Sequence, residues 1–91
     1  MLVQKQKYFE GEIAYLKSAN LLGVCSQAYT RLLRLYGHLP ENHVEAGRFE
    51  FFENKSAENA RTSLQMALRK FPHYLPLWTT YFEMELGYVK L

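Results

Sequence analysis

Trp78-x-x-Tyr81-x-x-x-Glu85, inside "RKFPHYLPLWTTYFEMEL" (69–86), sets two aromatic rings and an acid at helical spacing. Residues at i, i+3 and i+7 share one face of an α-helix. Two readings compete: a chemical site, or the packing signature of a repeated helical hairpin in which the rings bury apolar area and the acid is held by a partner. The other reactive residue types argue against catalysis. His38, His43 and His73 lack the H-x-x-x-H or H-E-x-x-H spacing of a metal site. Glu83 and Glu85 are two residues apart and point to different helix faces. No glycine-rich phosphate loop occurs, and Ser, Cys and His form no nucleophile constellation. The chain is therefore expected not to be an enzyme, with no catalytic residue, no metal and no cofactor, and packing is the reading the spacing favours.

Length and composition bound what can position such residues. With 91 residues there is room for one small domain. Seven Tyr and six Phe contribute to a 48% hydrophobic content, which sets the chain apart from solvated disordered sequences. The net charge of +2 makes no strong electrostatic claim on nucleic acid or anionic lipid. Cys25 stands alone, so no internal disulfide or Cys-based zinc site is expected; it reads as a small buried hydrophobe in a reducing compartment. "MLVQKQKYFEGE" has no apolar core and does not read as a signal peptide. The uncharged stretch from Ser18 to Thr30 is polar-studded and shorter than the roughly 20 apolar residues of a membrane-spanning helix.

Helical periodicity dominates the chain. Ala60, Leu64, Ala67, Leu68 and Phe71 recur on one face, with Ser56 as N-cap, Glu58 in the first turn and Pro72 as terminator, predicting a helix over 57–70. "SQAYTRLLRLYGHLP" predicts another, its face built from Ala28, Leu32, Leu35 and Tyr29, Leu33, Tyr36, with Gly37 at its C-terminal cap. "PENHVEAGRFEFFEN" predicts a helix over 41–53, "KQKYFEGEIAYLKSAN" one over about 5–19, and "PLWTTYFEMELGY" one that starts at Pro76 and stops at Gly87. Aligning Trp78 with His43 and Phe9 gives intervals of 35 and 34, and Glu85 follows Glu50 by 35; Ala60 follows Ala28, and Pro72 follows Pro40, by 32. The order is A-B-A-B-A: a first hairpin over about 5–39, a second over 40–71, and the first helix of a third over 76–87. Hairpins of this kind bury their second face by stacking into an α-α superhelix.

The Trp78-x-x-Tyr81-x-x-x-Glu85 triple resembles the A-helix motif of half-a-TPR (HAT) repeats. "ARTSLQMAL" is similar to their B-helix motif, with Ala60, Arg61, Ala67 and Leu68 in agreement and Leu64, Gln65 and Met66 departing from it. Pro72 follows where the family places a loop proline, and Glu50 stands as the A-helix acid of the middle repeat, where His43 and Ala46 replace the aromatic pair. The run 48–86 is most similar to the HAT-repeat subunit of the UTP-B complex of the small-subunit processome. The resemblance implies an all-α, TPR-like solenoid acting as a non-enzymatic scaffold. It further implies protein subunits of a large ribonucleoprotein as partners, indirect or weak RNA contact, no membrane or small-molecule substrate, and a nuclear, nucleolar location. HAT scaffolds of splicing or mRNA 3′-end processing, and TPR-like peptide adaptors, are the alternatives. TPR grooves that clamp a peptide carboxylate present Lys, Asn and Arg on their A helices; here those helices carry aromatics and acids, which favours the scaffold.

Three further expectations concern particular residues. Trp78 is expected to anchor the last helix on the second hairpin, so that truncation to Ala costs roughly 3–5 kcal/mol. Glu50 is expected to pair with Arg61. The last helix has no B helix after it, so Tyr81, Phe82, Met84, Glu85 and Leu86 cannot all be covered, and Tyr81, Phe82, Met84 and Leu86 are expected to form a partner-binding patch. Arg31, Arg34, Arg61, Arg69 and Lys70 all lie on B helices, where a solvated basic face is the simpler reading.

Overall fold

Every element of the chain is helical in a computed structural model that describes the backbone of residues 2–90 and the side chains of residues 7–87. α1 spans Leu2–Ser18, α2 Leu22–Tyr36, α3 Pro40–Arg48, α4 Ala57–Lys70 and α5 Leu75–Lys90. Local chemistry explains several boundaries. Pro40 and Glu41 occupy the first turn of α3. The Ser56 hydroxyl accepts the Asn59 N–H at 3.2 Å and opens α4, which stops before Pro72. Among the described residues no helix is long and apolar enough to cross a membrane.

Two boundaries and the conformation of one cap differ from expectation. The expected 41–53 helix gives way after Arg48 to a π-helical turn, Phe49–Glu53, closed by Asn54 N–H to Phe49 O at 2.9 Å. Nothing in "FEFFE" breaks a helix; along the wide turn Phe49 is buried, Phe51 half-buried and Phe52 exposed, and such turns occur mostly as single insertions. Gly87 does not stop α5, which runs on to Lys90. A Cβ at Gly87 would lie 3.3 Å from the Phe51 ring, so this glycine serves close packing instead of a cap. Gly37 follows α2 but stays right-handed, at φ −70°.

Two apolar clusters form the core. The first joins Ile13 and Leu16 of α1 to Cys25, Tyr29, Leu32 and Tyr36 of α2, with Ala46 and Phe49 from the middle of the chain. The second joins Ala60, Leu64, Ala67 and Leu68 of α4 to Leu77 and Met84 of α5, with Val44 and Phe51 against it. α3 and the π turn thus belong to both. Cys25 is fully buried, and desolvation raises its thiol pKa, as befits a packing residue. The fold measures 38 × 30 × 15 Å; its thin dimension is that of two helix layers at interaxial distances of about 8–10 Å.

The register between hairpins is uniform. α2 begins at Leu22 and α4 at Ala57, 35 residues on; α3 begins at Pro40 and α5 at Leu75, again 35. The turns before α2 and α4 each carry one left-handed residue, Asn20 (φ 57°) and Lys55 (φ 58°), at the same interval. The 32-residue alignment of Ala60 with Ala28 and of Pro72 with Pro40 is therefore corrected. Ala60 corresponds to Cys25, Leu64 to Tyr29 and Ala67 to Leu32, all of them buried. Identity between two alanines and two prolines favoured a register three residues off, close to one helical turn, which keeps the apolar stripe nearly in phase.

Candidate functional site

α5 presents two opposite faces. Leu77, Thr80 and Met84 point inward, Leu77 at 0% and Met84 at 1% exposure. Leu75, Trp78, Phe82 and Leu86 are all exposed and follow one another at three- and four-residue steps, which makes a continuous apolar stripe. Two expectations need correction here. Met84 is core, not surface, because it lies on the row of Leu77. Trp78 is 36% exposed and does not anchor the helix; its indole N–H donates to Pro72 O at 2.8 Å and its ring sits 5.9 Å from Phe82. The anchor is its neighbour Leu77. Tyr81 lies between the faces, half-buried against the second cluster, with its hydroxyl accepting from Gln65 Nε2 at 3.3 Å. Phe82 and Leu86 remain on the exposed face as expected.

The motif acids are held differently from each other. Arg61 donates from Nε to Glu85 Oε1 at 2.8 Å and from a terminal nitrogen to Oε2 at 3.1 Å. The expected Glu50–Arg61 pair is thus replaced by Arg61–Glu85, across α4 and α5. Glu50 instead accepts from Ser26 Oγ at 2.8 Å and from Asn54 Nδ2 at 3.2 Å. The Trp78, Tyr81, Glu85 triple does not converge: Trp78 meets Pro72 and Phe82, Tyr81 meets Gln65, and Glu85 meets Arg61.

Sequence reasoning missed a second feature. Between α2 and α4 lies a cleft of about 460 Å³. Ser26 and Thr30 line it from α2, Glu58, Asn59, Thr62 and Ser63 from α4, and Glu50 from the π turn. Its polar walls are hydroxyls, the Asn59 amide and the Glu58 carboxylate, interspersed with Tyr29, Leu33, Ala46 and Met66. The 35-residue interval from Glu50 to Glu85 was the signal that locates it, since the same interval makes Ser26 the counterpart of Arg61.

The basic residues of the B helices do not form one free surface. Arg31 pairs with Glu12, Arg61 with Glu85, and Lys70 donates to Gly37 O at 3.0 Å. The chain matches no family model, no curated protein and no solved structure. Its function must therefore be argued from these surfaces.

The Arg61–Glu85 pair yields a pH prediction. Arg61's hydrogen bonds, opposed by partial desolvation and aided by its charge, hold the Glu85 carboxyl below its ordinary pKa. The pair stabilises the fold fully above the unfolded-state value, and the contribution disappears as pH falls through the lower folded value. In Glu85→Gln the loss of stability between pH 6 and pH 3, taken here as about the carboxylate range, should be shallower than in the parent, with a difference below about 1 kcal/mol because the pair is partly solvated. Thermal melts over that range check it; equal slopes would remove the assignment.

Proposed function

We propose that the chain is a non-enzymatic scaffold segment of HAT-like hairpins that binds a helix of a protein partner in a ribonucleoprotein assembly. The observation that carries this reading is the exposed stripe Leu75, Trp78, Phe82, Leu86. One repeat earlier, the positions of Trp78 and Phe82 are those of His43 and Gly47. His43 lies 5.6 Å from the Phe71 ring, and Gly47 is tight against Leu64, so that face of α3 is covered by α4, the next helix in the chain. The corresponding face of α5 fits an amphipathic helix laid down as α4 lies on α3. Contacts between residues about one repeat apart support stacking into a superhelix: Lys17 with Glu53, Arg48 with Glu83, and Tyr74 with Glu41. The HAT resemblance supplies the class of assembly, with the small-subunit processome, pre-rRNA processing and a nucleolar location as its specific form. The paired basic residues agree with indirect or weak RNA contact.

Analytical ultracentrifugation with a hydrophobic dye tests the stripe. The isolated chain should self-associate or bind dye, and Phe82→Asp or Leu86→Asp should abolish both without lowering Tm. A monodisperse, cooperatively melting monomer that binds no dye would sink the proposal. Cross-linking mass spectrometry in cells then tests the assembly, with links to small-subunit processome proteins as the expected result.

A further inference from the structure

The two A-helix acids occupy equivalent places but receive unequal partners. Ser26 to Glu50 and Arg61 to Glu85 are both separations of 24 residues, each running from a B helix to the A helix that follows it. Ser26 thus stands where the next repeat has its arginine. Glu85 has a guanidinium on both oxygens, whereas Glu50 has one hydroxyl and one side-chain amide. Glu50 is nonetheless the more deeply placed, at 7% exposure, and no ion pair reaches it among the described residues.

A serine in place of an arginine also leaves space. The cleft over Ser26 and Glu50 holds about 460 Å³ and is lined by hydroxyl, amide and carboxylate groups together with Tyr29, Leu33, Ala46 and Met66, none of which adds positive charge. An ionised carboxylate offers about four acceptor positions, of which the Ser26 and Asn54 hydrogens fill two. Burying that charge with neutral donors alone is costly, and a cation entering the cleft would offset the cost. The planar guanidinium suits the task better than an ammonium, because it reaches both oxygens at once, as Arg61 does on Glu85.

We infer that the α2–α4 cleft is a receptor for an arginine side chain of a partner protein, which completes on Glu50 the pair that Arg61 makes on Glu85. The inference rests on the repeat register and the cleft. It does not depend on the α5 stripe or on the class of assembly.

Titration of the isotope-labelled full chain with N-acetyl-arginine methylamide, followed by amide NMR, tests it. Saturable shifts at Ser26, Glu50 and Asn54 are expected. The neutral citrulline analogue should bind at least about tenfold more weakly, and added salt should weaken the arginine analogue. Glu50→Gln should lose the response. Ser26→Arg, which supplies the guanidinium from within the chain, should both abolish binding and raise Tm, with the rise absent in the Ser26→Arg, Glu50→Gln double variant. Equal shifts from the citrulline analogue, no shifts at the cleft, or a Ser26→Arg variant whose Tm falls would each overturn the assignment.

Discussion

Truncating Phe49 to Ala should destabilise the chain by about 3–5 kcal/mol, while Trp78→Ala should cost no more than about 1 kcal/mol. Phe49 is 2% exposed, its ring is 4.9 Å from that of Tyr29, and Lys17 lies 5.7 Å above it. Removing it opens a cavity where α1, α2 and the π turn meet. Trp78 buries less, and its ring faces solvent along the α5 stripe. A domain of this size has at best about 5–15 kcal/mol to lose, so Phe49→Ala consumes a large share of the total. Urea unfolding of the two variants, compared at the midpoint, decides the matter. A Trp78→Ala loss equal to that of Phe49→Ala would mean that the last helix is anchored by its tryptophan after all.

Gly47→Ala should also destabilise, by about 1–3 kcal/mol, although helix propensity alone predicts a gain of about 1 kcal/mol from replacing an interior glycine. The clash wins because a Cβ at Gly47 would lie 2.6 Å from Leu64 Cδ2 and 2.7 Å from its Cγ, and Leu64 is fully buried. Leu64→Ala by itself should cost about 2–5 kcal/mol through the cavity it leaves. In the double variant the new methyl group enters that cavity. The combined loss should therefore fall short of the sum of the two single losses by about 0.5–3 kcal/mol. Strict additivity in the double-mutant cycle would show that the two helices can separate to admit the methyl group, and that close approach at Gly47 is not required.

Five helices, most of their ends and the acids of the A helices were legible in the residues, because they follow from local rules: apolar spacing, the Ser56 cap, and the prolines at 40 and 72. The sequence also marked Phe82 and Leu86 as surface, since a helix covered on one side leaves its far row bare. Three features depend on how the helices pack. Leu77 and Met84 are core while Trp78 is partly exposed, because a rotation of one residue, about 100° around a helix, decides which row meets α4, and an all-round apolar segment does not fix that angle. The π turn at Phe49–Glu53 places Phe49 in one core and Phe51 against the other, and no breaker marks it in the sequence. The partner of Glu50 required the register between hairpins. A three-residue error keeps the apolar face almost in phase and so is invisible to periodicity, but it exchanges Ser26 for Tyr29 as the counterpart of Arg61, and the packed helices distinguish the two.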